Sequence, residues 1–454
     1  MMNDNLEHDG RGAGSVHAGT FAREQPHHTT RRMSLTKVVF AASIGNALEW
    51  YDLAVYAFLA IPISKVFFPA HDEVVSLLIA LGTFGASYFM RPLGALYLGS
   101  YGDRHGRKSA MTLTIVLMGI GTLIIASAPG YAVAGLAAPL LIVAAKFLQG
   151  FSAGGEFGSS VSFLVEHAPA RTRGFLASFQ IVGVGLANTL ASLIGVALNH
   201  AFTSAEIVVW AWRIPFILGL VILPFGWFIR KKVDESPSYH AEGRTVETKS
   251  PVTTIMKTAK MRIVSAVGLY CLAASTNYLL GVYIPTYAIR ELGVPAESAF
   301  WGALGFSLVQ VFVAPLIGHL SDRYGRRRFI ASGIILVALA VIPAFQIMIA
   351  LRSPSALVAC VVGLGVLVTI FQGPIPAFLS ECFPVETRTT GLAVIHNLNF
   401  TIFGGFAPLL MTTLISATSD RLVPAYYTLL TAAFAVIGLW GLMTGIKREN
   451  SALR

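Results

Sequence analysis

Apolar segments long enough to span a membrane recur along the chain after residue 35. A helix needs about twenty residues to cross about 30 Å of hydrocarbon, and each of these segments is bounded by charged residues, Pro or Gly. The twelve segments are 37–67, 74–101, 109–128, 133–163, 174–199, 207–230, 263–289, 298–320, 329–351, 355–381, 389–416 and 424–446. Strands of a membrane barrel would instead be alternating segments of about ten residues. The sequence therefore predicts an all-α membrane protein with twelve transmembrane helices.

Composition and charge agree with this class. Of the 454 residues, 55% are hydrophobic and 12% are charged, and the mean hydropathy is +0.67, which is typical of a membrane protein. The formal net charge is +10. Basic residues gather in alternate connections, among them Arg104–Lys108, Arg171–Arg173, Arg230–Arg262 and Arg323–Arg328. By the positive-inside rule, both termini are predicted to be cytoplasmic, and this charge orients the chain rather than binding nucleic acid.

Polar regions are predicted to flank and separate the helices. Residues 1–35 lack the apolar stretch of a signal peptide and are predicted to be a disordered cytoplasmic tail. Residues 231–262 are basic and contain Pro, which predicts a cytoplasmic linker between bundles at 36–230 and 263–446. Residues 447–454 are predicted to form a second cytoplasmic tail. The three cysteines fall singly in separate segments, so we predict no disulfide, no metal site and no cofactor.

The connection after the second segment is repeated after the eighth. "GDRHGRK" (102–108) corresponds to "SDRYGRR" (321–327), displaced by 219 positions (322 minus 103). "EHAPARTR" (166–173) corresponds to "ECFPVETR" (381–388), displaced by 215 positions (381 minus 166). Two motifs with nearly the same displacement predict two pseudo-symmetric bundles of six helices each. Parallel repeats of this kind usually enclose a substrate site near the membrane midplane, which faces each side in turn.

These loops resemble the cytoplasmic loop motif of the major facilitator superfamily. Four further stretches resemble its metabolite:proton symporter family: "GNALEWYD" (45–52), "RPLG" (91–94), "LQGFSAGGEFG" (148–158) and "WAWRIPF" (210–216). The resemblance covers nearly the whole chain after about residue 35 and implies the major facilitator fold. It also implies a bacterial importer, because that family carries 2-oxoglutarate, citrate, shikimate, proline and betaine. The motifs do not choose among these substrates.

Two carboxylates, Glu49 and Asp52, lie deep in the first segment and share one face of the predicted helix. A buried charge costs at least about 2.5–3.5 kcal/mol, so it usually faces a cavity and a partner. Arg91 and Lys146 supply positive charge at depth. Protonation of an acid that is paired with one of these cations would release the cation to an incoming carboxylate. We therefore predict that Glu49 or Asp52 couples proton movement to transport; simple helix-to-helix pairing is the alternative.

A wider set of residues is predicted to bind the substrate. In the first half the set is Asn46, Tyr56, Arg91, Lys146 and Gln149. In the second half the set is Tyr278, Tyr283, Gln310, Gln372, His396, Asn397 and Asn399, with Asn277 and Tyr287 as further candidates. Tyrosines at helical spacing more often serve in packing or as interfacial anchors. His396 either carries a proton or stays neutral and hydrogen-bonded.

The repeated loops predict a cytoplasmic gate. In the superfamily that these loops resemble, the loop Asp holds the two halves together by facing a helix N-terminus and arginines of the other half. An anion at a helix N-terminus gains up to about 1 kcal/mol at exposed sites. The predicted gate residues are Asp103, Arg104, Arg107, Glu156, Glu166, Arg173, Asp322, Arg323, Arg326, Glu381 and Arg388. Glu166 with Arg173, and Glu381 with Arg388, are expected to complete the gate. A turn that only orients the chain is the alternative.

The combined prediction is a proton-coupled importer that works as a monomer in a bacterial cytoplasmic membrane by alternating access. Two buried cations favour a di- or tricarboxylate such as 2-oxoglutarate or citrate as the substrate. An importer of proline, betaine or shikimate is the alternative, and a membrane receptor or sensor is the alternative from another class. The sequence contains no HExxH motif and no nucleotide-binding loop, so neither an enzyme nor an ATP-driven pump is predicted.

Overall fold

The computed structural model describes residues 47, 49–105, 107–166, 168–231 and 260–452, apart from the side chains of some helical residues. Within these ranges the elements are helices, and no strand occurs. The helices that match the twelve predicted segments are α1 (Glu49–Phe58 and Ala60–Phe67), α2 (Glu73–Leu98), α3 (Thr112–Ser127), α4 (Ala137–Ser152), α5 (Arg173–Ala201), α6 (Ser204–Ala211 and Arg213–Pro224), α7 (Lys260–Leu292), α8 (Ala296–Tyr324), α9 (Arg326–Leu351), α10 (Pro354–Glu381), α11 (Thr387–Thr418) and α12 (Val423–Thr444).

Each predicted segment corresponds to one of these helices. Among the described residues, eight helices are long and apolar enough to cross a membrane as they stand, and α1 and α6 are bent pairs that together reach that length. α3 is the apolar end of a 21-residue helix, Arg107–Ser127. α4 continues through a 3₁₀ turn, Ala153–Gly155, into a further helix, Glu156–Glu166. The predicted all-α membrane fold is confirmed.

Proline explains the irregular helices. The two parts of α1 are inclined by 69° and those of α6 by 48°. Pro62 and Pro215 each lack the N–H that would bond to the carbonyl four residues earlier, and their rings push against that carbonyl. In α7 a π-helical turn, Leu279–Tyr283, comes just before Pro285. Since α1 and α7 are the first helices of the two halves, each half begins with an interrupted helix.

The stretches "RPLG" and "LQGFSAGG" lie where α2 touches α4 and its extension. A Cβ atom at Gly94 would strike the carbonyl oxygen of Phe151, and one at Gly154 would strike the carbonyl oxygen of Arg91. The two backbones are therefore in direct contact, which small residues allow between membrane helices. This contact fixes Arg91 beside the helix that carries Lys146.

The two halves meet where α5 packs against α8, where α2 and the extension of α4 pack against α11, and where α10 contacts the extension of α4 and the start of α5. The predicted domain boundaries stay predictions, because residues 1–46 and 232–259 lie outside the described residues. The last helix runs on to Ala452, so the predicted tail at 447–454 is partly helical.

Candidate functional site

A cavity of about 30 Å³ lies between the two halves, which is room for about one water molecule. Its aromatic lining consists of Trp50, Phe157, Tyr270, His396 and Phe400. Its polar lining consists of Gln180, Asn277 and Gln372. Aliphatic residues and Pro376 complete the wall, and no Lys, Arg, Asp or Glu is among these lining residues.

His396 is held in a stack of aromatic rings. Its ring centroid lies 3.8 Å from that of Phe157 and 4.2 Å from that of Phe400, with interplanar angles of 12° and 25°. Its Nδ1 is 3.3 Å from the hydroxyl oxygen of Tyr270. Since Phe157 belongs to the first half and the other three residues to the second, the stack bridges the halves.

Trp50 of α1 reaches across the same interface. Its ring lies 5.2 Å from Phe400, 6.0 Å from Tyr278 and 6.5 Å from His396, measured between centroids. All three partners belong to the second half. Trp50 therefore contributes to the cavity wall from the same turn of α1 that carries Glu49 and Asp52.

The polar lining is already hydrogen-bonded in part. Gln372 Nε2 donates to the Ala273 carbonyl at 3.2 Å and to Thr276 Oγ1 at 3.3 Å. Gln372 Oε1 accepts from Gln310 Nε2 at 3.2 Å. Gln180 Oε1 accepts from Ser160 Oγ at 3.1 Å. The described partners of Gln372 fix its amide against the wall.

Glu49 and Arg91 form a buried ion pair at 3.4 Å. The Arg91 guanidinium carbon lies 4.3 Å from the ring centroid of Tyr88, and the Tyr88 hydroxyl is hydrogen-bonded to the Tyr278 hydroxyl in the other half. Nε, Nη1 and Nη2 of Arg91 are buried without a hydrogen-bond partner. Arg91 therefore lies next to a residue, Tyr88, that contacts the other half, and its guanidinium N–H groups have no hydrogen-bond acceptor.

Asp52 lies at the end of a hydrogen-bonded chain inside the first half. Thr122 Oγ1 donates to Asp52 Oδ2 at 2.6 Å, Gln149 Nε2 donates to Thr122 Oγ1 at 3.0 Å, and Lys146 Nζ donates to Gln149 Oε1 at 3.0 Å. Asp52 Oδ1 is buried without a hydrogen-bond partner. A Cβ atom at Gly219 of α6 would lie 2.9 Å from this oxygen, so glycine leaves room for the carboxylate.

The two first-helix acids thus face different partners. Glu49 faces α2, whereas Asp52 faces α3 and α6. Lys146 Nζ also lies 4.6 Å from the ring centroid of Tyr56, whose hydroxyl donates to the Ala80 carbonyl. None of these charged side chains lines the cavity in the part of the chain that the structure describes. The charged side chains are instead paired with other residues of the first half.

The ends of α8 and α5 meet at the side of the bundle that carries Arg326, which we call the basic side. Asp322 of α8 accepts hydrogen bonds from the backbone N–H groups of Gly174 and Phe175 at the start of α5, at 2.8 and 2.9 Å. Arg326 Nη2 lies 2.7 Å from Asp322 Oδ1 and pairs as well with Glu381. Asp322 therefore joins the second half to a helix N-terminus of the first.

Further contacts close the cavity towards both sides. On the basic side Asn397 Nδ2 donates to the Gly154 carbonyl at 2.8 Å, and Thr389 Oγ1 donates to Ser162 Oγ at 2.9 Å. On the opposite side the rings of Phe58 and Phe300 lie 5.4 Å apart between centroids. The halves are in contact above and below the cavity, so this conformation is occluded.

Other predicted residues lie away from the cavity. Tyr283 shares a hydrogen bond with Thr412 Oγ1, and Asn399 Nδ2 donates to the Ile395 carbonyl. Arg323 lies over the ring of Tyr324. Asn46 and the side chains of Asp103, Arg104, Arg107, Glu156 and Glu166 lie outside the described residues.

Two expected partnerships in the gate differ from the observed contacts. The arginine beside Asp322 is Arg326 of the same half, whereas the loop motif implied arginines of the other half. Arg388 donates through Nε to the Ser380 carbonyl at 2.8 Å and so binds the end of α10, while the adjacent Glu381 pairs with Arg326. Arg173 Nε is buried without a hydrogen-bond partner.

Sequence reasoning missed most of the cavity wall. Trp50, Phe157, Tyr270 and Phe400 were not among the predicted site residues, because aromatic residues are common throughout apolar helices. One signal was present: Tyr270, Ala273 and Asn277 recur at three and four positions and share a helical face.

Comparison with known proteins fits this architecture. The "Sugar (and other) transporter" family model matches residues 38–256, and the "Major Facilitator Superfamily" model matches residues 266–452. The "Proline/betaine transporter" of Salmonella typhimurium is 34% identical over 92% of this chain and 84% of its own length. The chain belongs to the major facilitator superfamily. It is therefore a multi-pass membrane transporter and not an enzyme.

The chain is also similar to transporters of other solutes. The "Citrate-proton symporter" of Klebsiella pneumoniae is 33% identical over 86% of this chain and 87% of its own length. The crystal structure of a D-xylose-proton symporter has a TM-score of 0.71, with 16% identity over 88% of this chain and 97% of that chain. At this identity the crystal structure supports the fold alone. Within the described residues, no group of His, Cys, Asp and Glu could hold a metal ion.

Proposed function

We propose that this protein imports a small zwitterionic solute of the proline and betaine kind together with protons. The observation that carries the proposal is the cavity lining, in which the described side chains include five aromatic ones and no Lys, Arg, Asp or Glu. Relatives named as proline/betaine transporters support the same choice. The cavity must widen to admit the solute, because the occluded form holds only about 30 Å³.

The aromatic wall suits the cationic end of such a solute. A cation over the face of a Trp, Tyr or Phe ring gains about 0.5–1 kcal/mol at exposed sites and about 2 kcal/mol when desolvated. Trp50, Tyr270 and Phe400 surround one end of the cavity. Several such faces together form the kind of cage that recognises quaternary ammonium groups.

Arg91 suits the carboxylate end. Its guanidinium is buried and forms an ion pair with Glu49 at 3.4 Å, and its nitrogens have no hydrogen-bond partner. A planar guanidinium binds carboxylates in bidentate fashion, so a carboxylate of the solute would compete with Glu49. A solute with one positive and one negative end therefore matches an aromatic wall in front of a single arginine. Rotation of Trp50 away from Tyr278 would open the way between the cavity and Arg91.

A di- or tricarboxylate is the second candidate, favoured by a second buried cation, Lys146, and by the similarity to citrate-proton symporters. Its weakness is that Lys146 is hydrogen-bonded to Gln149, is packed over Tyr56 and is not among the described residues that line the cavity. Two or three negative charges would then share Arg91, and the uncompensated charge would carry a large desolvation penalty.

Uptake into lipid vesicles tests the proposal. With the purified protein reconstituted and the outside made acidic, labelled proline and betaine are expected to accumulate, and each is expected to inhibit uptake of the other. Labelled citrate, 2-oxoglutarate and shikimate are expected neither to accumulate nor to compete. Accumulation of citrate without that of proline or betaine would overturn the zwitterion assignment in favour of the second candidate.

The contacts of Asp322 support its role as a gate on the basic side, which we propose to face the cytoplasm. Asp322→Asn is expected to weaken closure, because hydrogen bonds to an ionised acceptor are worth about 1.5–3 kcal/mol and those to a neutral one about half as much or less. The opening can be measured with a cysteine introduced at Ser162. Alkylation of this cysteine is expected to be about tenfold faster with Asp322→Asn than with Asp322 present.

The matched control for this variant is Asp420→Asn. Asp420 also accepts a backbone N–H bond, from Leu422 at 2.8 Å, but lies in the α11–α12 connection on the opposite side. Equal alkylation rates in Asp322→Asn and Asp420→Asn would count against the gate assignment.

A further inference from the structure

Asn277 carries an unused hydrogen-bond acceptor in the cavity wall. Its side chain is 7% exposed, it lines the cavity, and its Oδ1 is buried without a hydrogen-bond partner. Buried polar atoms are nearly always hydrogen-bonded, and an exception calls for an explanation. Here the explanation is a partner that arrives with the solute.

The other side-chain amides of the wall have described partners. Gln372 is held by Ala273, Thr276 and Gln310, and the oxygen of Gln180 is held by Ser160. Among the described residues that line the cavity, Asn277 Oδ1 is the buried side-chain acceptor that has no hydrogen-bond partner. A donor that enters the cavity is therefore expected to bind here.

Asn277 is also placed next to the aromatic wall. Tyr270, Ala273 and Asn277 share one face of α7, and the next residue, Tyr278, lies 6.0 Å from Trp50 and 5.6 Å from Phe400 between ring centroids. An ammonium group that rests on the aromatic rings would therefore present its N–H groups, if it has any, close to Oδ1. The hydroxyl of Tyr278 is hydrogen-bonded to that of Tyr88, which connects this part of α7 to α2 of the other half.

We propose that Asn277 is a specificity-determining residue that accepts an N–H hydrogen bond from the ammonium group of the carried solute. The inference rests on the proposed zwitterion transport and deepens it. Proline retains two N–H groups on its ammonium nitrogen, whereas betaine is fully N-methylated and has none. Asn277 therefore raises the affinity for solutes that retain an N–H, while the aromatic faces serve both kinds.

The test compares the Michaelis constants for proline and betaine uptake in wild type and Asn277→Ala. Loss of one hydrogen bond to a charged donor is expected to raise the KM for proline about tenfold, or about 1.4 kcal/mol. The KM for betaine is expected to change less than about twofold, because betaine has no N–H to lose. KM does not depend on the amount of folded protein, so the comparison survives weak expression.

Three more variants sharpen the result. Asn277→Asp retains an acceptor at the same position and is expected to keep the KM for proline near that of wild type. Asn199→Ala is the matched control, because Asn199 donates to the Gly195 carbonyl near the end of α5, away from the cavity; it should change neither constant. If Asn277→Ala does not fold, Asn277→Ser, whose hydroxyl is too short to reach, gives the same comparison.

The outcomes separate the inference from the function on which it rests. Equal changes in the two KM values, or no change in either, would overturn the role of Asn277 while leaving zwitterion transport intact. A wild-type protein that carries neither proline nor betaine would overturn both. A selective increase in the KM for proline supports both.

Discussion

Asp52→Asn is expected to abolish accumulation of solute driven by a pH gradient while leaving exchange of solute across the membrane. Asparagine has a side chain of nearly the same size as aspartate, but it has no carboxylate that could take up a proton. A gradient of about one pH unit is worth about 1.4 kcal/mol per proton, or about tenfold accumulation. That tenfold excess should disappear in the variant, whereas counterflow of labelled against unlabelled solute should continue.

The surroundings of Asp52 supply the physical reason. When Asp52 is ionised, Thr122 donates to it at 2.6 Å; when it is protonated, the same hydroxyl has a second acceptor at 3.0 Å in the Met118 carbonyl. Thr122 Oγ1 also accepts from Gln149, which is held by Lys146. Protonation of Asp52 thus changes the hydrogen bonds of Thr122, which is connected to the buried Lys146 through Gln149. Asp52 itself is buried, so this change needs no direct contact with solvent.

The matched control is Asp72→Asn. Asp72 is exposed and accepts a hydrogen bond from the Val74 N–H at the start of α2, so its substitution removes a carboxylate outside the bundle core. Accumulation by this variant should equal that of wild type. Normal gradient-driven accumulation by Asp52→Asn would contradict proton coupling at this residue, and Glu49→Gln would then be the variant to measure.

The order of residues 49 to 52 connects the proton site to the solute site. Glu49 binds Arg91, Trp50 lines the cavity, Tyr51 donates to the Pro215 carbonyl at 2.7 Å, and Asp52 accepts from Thr122. Four consecutive side chains point to four different partners because successive helical residues are about 100° apart. A rotation of this turn of α1 would therefore move the acid and the cavity wall together.

The charged part of the site could be predicted from the sequence and the aromatic part could not. Glu49, Asp52, Arg91 and Lys146 stand out because ionisable residues in apolar segments are costly and rare. Trp50 does not stand out, since an aromatic residue in a membrane helix needs no partner. Which charge faces which helix depends on packing angles, and those are not encoded in spacing along a single helix.

The loops also contain one contact that could be predicted from the sequence and one that could not. The resemblance of "GDRHGRK" and "SDRYGRR" to the superfamily loop motif implied that Asp322 has a partner across the halves, and the observed partner is the start of α5. The partner of Arg388 was not predictable, because Glu381 and Ser380 are adjacent in sequence and only the three-dimensional course of α10 places the Ser380 carbonyl within 2.8 Å of Arg388 Nε.

A disulfide between cysteines placed at Ser162 and Thr389 is expected to stop transport completely. The two hydroxyl oxygens are 2.9 Å apart and belong to opposite halves, so sulfur atoms at these positions come close to the 2.03–2.05 Å of a disulfide with little backbone movement. Opening of the basic side requires these residues to separate. A covalent bond between them holds the halves together, and reduction should restore uptake.

The chain offers a control of the same geometry within one half. Ser275 and Thr431 also have hydroxyl oxygens 2.9 Å apart, but both lie in the second half, on α7 and α12. Cysteines at these positions should form a disulfide without blocking uptake, because the two helices move as one body when the halves part. Both pairs are best built with Cys360→Ser, since Cys360 is the most accessible of the native cysteines in the described chain. Undiminished uptake by the cross-linked Ser162–Thr389 pair would show that transport proceeds without separation of the halves at this point, and the gate would have to be sought elsewhere.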